Sequence, residues 1–388
     1  MRYVNALCHV RRLVLLLALA APPAAAHSDA CPVPGEWLRP GDEPLDSSEL
    51  LGELAARDVV LLGEQHERVD HHRWQLHTLA GLHARRSDMV IALEMLPREA
   101  QPALDAWVAG ELDEAAFLEE SDWYDAWGFD PELYLPILHF ARLQQVPLVA
   151  INVTPELRSR LAEKGWAAVP ENERFGISSP AEPAAAYRER LAEIYAQHPG
   201  GDEEEGFERF VAAQLVWDRA MAAGLAEAGE AGALVVGLVG QGHLQFGHGV
   251  PHQLDDLGVA SRAVLLPWPA AGADCEPPPT DVAQAVFGIA ERGEPASSPP
   301  QLGILLAPAE AGVTVQSVIE GSLAERAGLE AGDVILRAAG ETIAQPGGLI
   351  AQVRRQPSGT LLPLEIRRQG EVQEVLVRFP ARDDDARH

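Results

Sequence analysis

The sequence has only three cysteines, far fewer basic than acidic side chains, and no long hydrophobic run after its first 26 residues. Its 30 lysines and arginines against 58 aspartates and glutamates give a formal net charge of −28 at pH 7. A chain of this charge repels phosphate backbones, which argues against nucleic-acid binding. The lack of a long apolar run argues against a bilayer-spanning segment after residue 26. What is present, 388 residues of which 47% are hydrophobic, is enough to bury two cores.

Residues 1–26 have the pattern of a secretory signal. Arginines start the segment, residues 13–20 form a short apolar run, and residues 24–26 are alanines suited to cleavage before His27. We therefore expect an exported protein of the periplasm or cell envelope. A lipid anchor is not favoured, because Cys31 follows Ser-Asp-Ala rather than an apolar small-residue lipobox.

Two cysteines, Cys31 and Cys275, remain once the signal segment and its Cys8 are removed. An even pair in an oxidising compartment usually forms a disulfide. Such a bond would join the two ends of the first globular region. Two unrelated free thiols are the alternative.

Two stretches rich in Pro, Ala, Gly and Ser, residues 270–279 and 291–300, separate two globular regions. A short apolar segment, 282–290, lies between them. The expected divisions are a first domain at 33–275, a linker at 276–298, a second domain at 299–380 and a charged tail at 381–388.

In the first domain, short apolar runs alternate with longer stretches of helical periodicity. The runs expected to be buried strands are 58–62, 88–93, 146–151, 233–238 and 263–266. This alternation predicts an α/β domain whose sheet is mostly parallel and has helices on both faces. The second domain instead has short β-rich runs and two brief helices, which predicts a small β-dominated fold.

Polar side chains follow the predicted strands of the first domain. The carboxyl ends of parallel strands meet at one edge of a sheet, where open α/β sheets bind their ligands. The residues expected at this edge are Glu64, His66, Glu94, Asn152, Gly240, Gly242 and His243. The glycines beside the histidines would let the backbone approach a ligand closely.

The two imidazoles of His66 and His243 and the carboxylate of Glu94 are open to more than one interpretation. They could hold a divalent metal such as Zn, Mn or Fe with a free position for water, or they could contact haem. They could also cap helices or satisfy buried carbonyls. His72 and Gln75, three residues apart on one helix face, are expected to support the site from behind.

The first domain resembles the ChaN family, which consists of iron-regulated, haem-binding exported proteins related to the Tiki and erythromycin-esterase group. The motifs that carry the resemblance are VVLLGEQH, HHRWQ, IALEM, WYDAWGFDPELYLPILHFAR, LVAIN, AAQLVWDRAMA and VGQGHLQFGHGVP, in this order over about residues 45–270. The resemblance implies a haem-binding α/β domain, two subunits paired around the ligand, and a role in iron or haem uptake.

The same resemblance implies haem ligation by a tyrosinate. Tyr134 is the first candidate for this axial ligand and Tyr124 the second. Three tryptophans, Trp123, Trp127 and Trp217, are candidates for the walls of the haem pocket, although tryptophans at helical spacing are also typical of a core.

The second domain contains QLGIL at 301–305, VIEGSLAERAGL at 318–329, EAGDVIL at 330–336 and GETI at 340–343. With these motifs it resembles a bacterial, circularly permuted PDZ domain. The resemblance implies that Leu302, Gly303, Ile304 and Leu305 form the loop and pocket that take a peptide C-terminus, with a helix at 348–355 closing the groove. The expected ligand is the C-terminal peptide of an envelope protein. A PDZ domain that only packs on its neighbour is the alternative.

Taken together, these patterns predict an exported haem- or iron-binding protein whose PDZ domain recruits it to a partner. The competing interpretation is a metal-dependent hydrolase in which His66, Glu94 and His243 bind metal and Glu64 acts as general base. A pure adaptor with a degenerate first domain is the third.

Overall fold

The computed structural model describes residues 31–41, 44–197, 204–270, 275–290, 300–309 and 311–381. The predicted signal segment and the charged tail beyond residue 381 lie outside these residues. No helix in the described part of the chain is both long and apolar enough to cross a membrane.

The first part of the chain forms an eight-stranded sheet. Its strands are β1 (Trp37–Leu38), β2 (Pro44–Leu45), β3 (Val59–Glu64), β4 (Met89–Pro97), β5 (Leu148–Asn152), β6 (Leu234–Gly240), β7 (Arg262–Pro269) and β8 (Ala285–Ile289). Their order across the sheet is β2-β1-β8-β7-β3-β6-β4-β5. The six strands from β8 to β5 are parallel, and β1 pairs antiparallel with both β2 and β8.

Helices connect these strands and cover both faces of the sheet. They are α1 (Ser47–Ala55), α2 (Val69–His83), α3 (Gln101–Ala109), α4 (Glu114–Glu120), α5 (Trp123–Ala126), α6 (Leu135–Gln144), α7 (Pro155–Lys164), α8 (Ala185–Tyr195), α9 (Glu204–Ala228) and α10 (Val250–Asp256). One core joins the sheet to α1–α6, and another joins its opposite face to α9 and α10. The predicted α/β class with a mostly parallel sheet is confirmed.

The central strands are apolar at nearly every position because both of their faces are covered. In β3, Val60 and Leu62 pack in the core on the α1–α6 side, whereas Val59 and Leu61 pack on the α9 side. All four are at most 1% exposed. This two-sided burial explains why the parallel strands appear as continuous apolar runs rather than alternating ones.

Strand β8 corrects one expected boundary. Residues 276–298 were expected to be a linker, but Ala285–Ile289 pairs in parallel with β7 and antiparallel with β1. Ala285 and Val286 are fully buried. Because Pro-rich stretches lie on both sides of this short apolar segment, composition alone predicted a linker where the structure has a strand of the sheet.

Cys31 and Cys275 are joined by a disulfide, the pairing that the sequence favours.

The C-terminal part of the chain forms a separate antiparallel sheet with two helices. Its elements are β9 (Ile304–Pro308), β10 (Val313–Val318), α11 (Leu323–Ala327), β11 (Val334–Ala338), β12 (Glu341–Thr342), α12 (Pro346–Arg354), β13 (Leu361–Arg368) and β14 (Glu371–Arg378). The strand order is β14-β13-β11-β10-β9, with β12 paired to β11. Within the described residues β9 pairs only with β10, so its other edge is open.

The two parts of the chain touch through α12 and α5. The backbone of Gly347 lies so close to Tyr124 that a Cβ added to this glycine would be 2.4 Å from the Tyr124 Cβ. Arg354 donates a hydrogen bond to the Gly128 carbonyl at 3.0 Å. Glycine at position 347 is therefore what allows α12 to approach the first domain.

Candidate functional site

Three neighbouring parallel strands, β3, β6 and β4, bring the predicted polar residues to one edge of the sheet. Glu64 ends β3 directly opposite Gly240, which ends β6. Glu94 lies in the last part of β4, where the pairing with β5 shifts register after Leu93. His66 and His243 follow two and three residues after the ends of β3 and β6.

The imidazole of His66 is held by the carboxylate of Glu64. Its Nδ1 lies 2.7 Å from Glu64 Oε1, and its ring packs against Trp127 and Phe129 at centroid distances of 4.6 and 5.0 Å. Burial acts to lower the pKa of His66, but the hydrogen bond with Glu64 and the nearby charge of Glu94 raise it overall. The side chain is 30% exposed, so the ring is reachable from solvent.

Glu64 is buried and shared by several partners. Besides His66, it accepts a hydrogen bond from the Tyr134 hydroxyl at 3.1 Å and lies 3.2 Å from His72 Nε2. His72 contacts Gln75 through its Nδ1 at 3.1 Å, and the Gln75 amide donates to the Leu62 carbonyl. His72, in the first turn of α2, thus contacts Glu64 from behind the site, and Gln75 contacts His72 in turn.

His243 has a carboxylate partner of its own. Its Nδ1 lies 2.5 Å from Asp218 Oδ1, and Tyr187 donates to the other oxygen of Asp218 at 2.8 Å. Burial acts to lower the pKa of His243, but the charge and hydrogen bond of Asp218 and the charge of Glu94 raise it overall. The Nε2 atom faces Glu94 at 3.6 Å. Both imidazoles therefore have Nδ1 on a carboxylate, and Glu94 lies near each of them.

Backbone groups fix Glu94 between the two histidines. Its Oε2 accepts the Gly240 N–H at 2.5 Å, and its backbone carbonyl accepts from the Asn152 side-chain amide at 2.8 Å. A Cβ on Gly240 would lie 2.9 Å from His66 Cε1, so this position requires glycine. Gly242 is exposed and has no close neighbour, so the expected close approach applies to Gly240 alone.

Of the two tyrosines predicted as axial ligands, Tyr134 is buried and Tyr124 is partly buried. Tyr134 is 2% exposed and its proton is engaged by Glu64; burial, followed by the charge of Glu64, raises its pKa far above the ordinary value. Tyr124 packs against Gly347 of α12, and burial raises its pKa as well. The Tyr134 hydroxyl is therefore engaged within the protein, and the assignment of Tyr134 or Tyr124 as axial ligand stays a prediction.

The three candidate tryptophans have different positions. Trp127 packs on His66, and the Trp217 ring lies 5.6 Å from the His243 ring. Trp123 is fully buried in the core and donates its indole N–H to the Phe129 carbonyl. Trp127 and Trp217 thus border the site, whereas Trp123 lies behind it and packs against Tyr134.

Sequence reasoning missed Asp218, Phe129 and the role of His71. Asp218 falls on the apolar face of α9 and is 0% exposed, and an acid on a buried helix face is a signal that could have identified it. His71 accepts the Gln65 backbone N–H on its Nδ1 at 3.0 Å and is not a freely solvated side chain. Burial, with the charges of His72 and Arg68, lowers its pKa to about 4.

The metal alternative receives no support from the arrangement of the side chains. Within the described residues no group of three or more His, Cys, Asp or Glu side chains is placed to hold a metal ion.

The predicted peptide-binding residues lie at the start of β9. Gly303 has a φ of +76°, and a Cβ there would be 2.4 Å from the Ser322 Cβ. The carbonyls of Leu302 and Gly303 accept from Ala324 and Ile319. Leu302 is buried, whereas the Leu305 side chain is 58% exposed beside the open edge of the sheet. Helix α12 contacts β9.

Residues 50–254 match the sequence model of a family described as haem-binding uptake proteins, Tiki superfamily, ChaN. The match covers more than half of the chain, and the chain therefore belongs to this family. Residues 300–378 match the PDZ domain. The protein thus joins a ChaN-type haem-binding domain to a PDZ domain. No curated protein matches the chain.

Solved structures agree with the fold. A structure described as cofacial haem binding to ChaN of Campylobacter jejuni is 18% identical, covers 65% of this chain and 95% of that chain, and has a TM-score of 0.52. An HtrA3 PDZ domain bound to a phage-derived ligand is 21% identical and covers 20% of this chain and 83% of that chain. A serine endoprotease from Yersinia pestis is 26% identical and covers 21% of this chain and 29% of that chain. Both have TM-scores of 0.19. The first similarity shows the fold, and the PDZ assignment rests on the family match.

Proposed function

We propose that this protein is an exported haem-binding protein of iron or haem acquisition, and that its PDZ domain recruits a partner through the partner's C-terminal peptide. Membership of the ChaN family supports haem as the ligand. The observation in the structure that best supports haem binding is the partly exposed imidazole of His66, whose Nδ1 contacts the carboxylate of Glu64.

His66 fits the requirements of a haem-iron ligand. Its Nδ1 is committed to Glu64, which leaves Nε2 as the free ring nitrogen. Histidines that bind a metal through one nitrogen commonly donate the other N–H to a carboxylate. The rings of Trp127 and Phe129 provide apolar surface beside the imidazole. His243 fits less well, because its side chain is only 10% exposed. Bound haem would supply an iron centre that the protein stores or transfers.

The location and the partner are supported by separate features. The N-terminal signal pattern and the disulfide between Cys31 and Cys275 agree with an oxidising compartment such as the periplasm. The open edge of β9, with Leu305 exposed beside it, suits an added peptide strand. The resemblance to the ChaN family also leads us to propose that two copies pair around the ligand, which a haem-dependent doubling of mass would support.

Haemin titration of the mature chain, residues 27–388, tests the haem proposal. We expect saturable binding with a shifted Soret band, and His66→Ala should weaken binding at least tenfold. His77→Ala is the matched control, because His77 lies exposed on α2, the helix that follows His66, and outside the site. Circular dichroism checks that both variants fold. No saturable binding by the parent would overturn haem binding, and an unchanged His66→Ala titration would overturn His66 as the ligand.

A second titration tests the PDZ proposal. Peptides with an apolar C-terminal residue and a free carboxylate should bind the full chain, and the same peptides with an amidated C-terminus should not. Leu305→Glu places a charge beside the open edge of β9 and should reduce the affinity. Equal binding of free and amidated peptides would contradict recognition of a C-terminus.

A further inference from the structure

Strand β14 is an edge strand of the C-terminal sheet. Within the described residues it pairs only with β13, in a register that places Arg368 opposite Glu371. The two residues that join the strands, Gln369 and Gly370, have φ values of +52° and +88°, as a type I′ hairpin turn requires. A two-residue turn of this type closes with a hydrogen-bonded pair, which is Arg368 and Glu371 here.

The backbone groups of β14 divide between β13 and the open edge. Hydrogen-bonded pairs alternate along an antiparallel ladder, so the odd-numbered residues of β14 direct their N–H and C=O groups to β13. The Phe379 N–H, just beyond the strand, donates to the Thr360 carbonyl and keeps this alternation. The even-numbered residues direct theirs to the open edge, and these residues are Val372, Glu374, Leu376 and Arg378.

The side chains of the same four residues lie on the exposed face of the sheet. Successive side chains of a strand point to opposite faces, and Val377, of the odd-numbered set, is fully buried in the core that includes α11. Val372 is 59% exposed and Leu376 is 50% exposed. Glu374 and Arg378 are exposed as well. The open backbone edge and the exposed side chains therefore belong to one set of residues.

This face contains an uncompensated pair of like charges. Glu374 lies directly opposite Glu365 of β13, and both are exposed. Among the described residues neither glutamate forms a salt bridge, and nor does Arg378. Like charges directly opposite each other destabilise an antiparallel pair. A positive charge brought to Glu374 by a further strand would relieve this repulsion.

We propose that β14 of one protomer pairs antiparallel with β14 of a second copy, about a two-fold axis at Leu376. In this register the two Leu376 side chains lie opposite each other, and Glu374 of each copy lies opposite Arg378 of the other. All paired residues are even-numbered and face the open edge, so the register satisfies the backbone as well as the side chains. Sliding one strand by two residues in either direction places Leu376 opposite a charged residue and removes both ion pairs.

The pairing is compatible with the proposed peptide binding and independent of haem. Strand β9 lies at the other end of the sheet from β14, so its open edge stays free. The pairing proposed around haem involves the first domain, whereas this one involves the C-terminal sheet. Protein without haem therefore separates the two, and the β14 pairing does not depend on whether haem binds.

Sedimentation velocity of haem-free residues 27–388 at increasing concentrations tests this proposal. The parent should form a reversible dimer. Glu374→Arg and Arg378→Glu each place like charges opposite each other twice in the dimer, so each should weaken dimerisation about tenfold or more. The double variant Glu374→Arg/Arg378→Glu restores opposite charges and should dimerise as the parent does.

An equimolar mixture of the two single variants gives the sharpest result. One protomer then presents two arginines and the other two glutamates, so the mixed dimer regains both ion pairs and should form more readily than either variant with itself. Glu371→Arg is the matched control, because it changes the charge of the same strand equally but its side chain lies on the other face. Circular dichroism checks that every variant folds.

A parent that stays monomeric at every concentration would overturn the proposal. So would a dimer that neither single variant weakens, or single variants whose mixture does not form the mixed dimer. Leu305→Glu alters the other open edge of the sheet and should leave the dimer intact. If Leu305→Glu dissociates the dimer and the β14 variants do not, the interface is β9 and the proposal is wrong.

Discussion

The carboxylate of Asp218 lies 2.5 Å from Nδ1 of His243, and both residues are buried. This pair mirrors the contact between Glu64 and His66 on the neighbouring strand. Each carboxylate fixes the orientation of its imidazole and stabilises the protonated ring. The site therefore contains two histidines whose charge is set by the acids behind them.

Asp218→Asn should lower the pKa of His243 below its ordinary value of 6.5. The amide removes the charge that raises the pKa, while the burial that lowers it remains. An NMR titration of the His243 ring measures the change. Asp256→Asn is the control, because Asp256 pairs with Arg219 and is not among the groups that act on His243. An unchanged pKa in Asp218→Asn would contradict the assigned role.

Tyr134→Phe should reduce the free energy of unfolding by about 1–3 kcal/mol, because buried Glu64 loses a hydrogen-bond donor. Chemical denaturation measures this loss. The Soret spectrum of the haemin complex should stay the same, since the Tyr134 hydroxyl is occupied by Glu64. A changed ferric spectrum in this variant would support Tyr134 as the iron ligand.

His71 should make the protein less stable as the pH falls from 6.5 towards 4. Its pKa is about 4 in the fold, so it stays neutral there, whereas the unfolded chain takes up the proton near 6.5. Its contribution is thus fully present above 6.5 and is lost on acidification. Unfolding free energies at several pH values should fall less steeply for His71→Gln than for the parent. The exposed control His77→Gln should follow the parent.

Gly224→Ala should destabilise the protein, although alanine favours a helix interior by about 1 kcal/mol. A Cβ at this position of α9 would lie 2.7 Å from Ile151 Cγ2 and 3.1 Å from its Cα, so the helix would have to move off β5 at a cost of about 1–3 kcal/mol. Gly52→Ala is the contrasting variant, because nothing lies near its Cβ and it should stabilise α1. Melting temperatures that shift in the same direction for both would refute the argument.

Gly347→Ala should separate α12 from α5, because its Cβ would collide with Tyr124. Amide hydrogen exchange of residues 123–129 should then become faster. The neighbouring variant Gly348→Ala meets only an ordinary contact with Ile343 at 3.8 Å and should leave exchange unchanged. Equal exchange in the two variants would show that the contact does not stabilise this region.

The sheet and the edge that carries the site could be predicted because their signals are local. Each parallel strand is a continuous apolar run, and each polar candidate follows directly after one, so Glu64, Glu94 and His243 fall on one edge without any tertiary information. Strand β8 could not be found in the same way. Its five residues stand between Pro-rich stretches, and only pairing with β7 and β1 makes them a strand.

The hydrogen-bonding roles within the site depend on contacts between distant parts of the chain. Tyr134 and Glu64 are 70 residues apart, and the sequence gives no sign that one hydroxyl is engaged by the other. Asp218 likewise meets His243 only because α9 packs across the end of β6. The sequence could therefore predict which residues lie at this edge. It could not predict which of their atoms remain free to bind a ligand.

The contact between Gly347 and Tyr124 joins α12, which contacts β9 of the proposed peptide groove, to α5 beside the candidate site. Helix α12 contacts both β9 and α5, and the loop after α5 carries Trp127 against His66. A partner held by its C-terminus in this groove would be tethered beside the site. Transfer of a ligand between the two would then proceed at an effective concentration on the order of millimolar, without any direct affinity between the partner and the first domain.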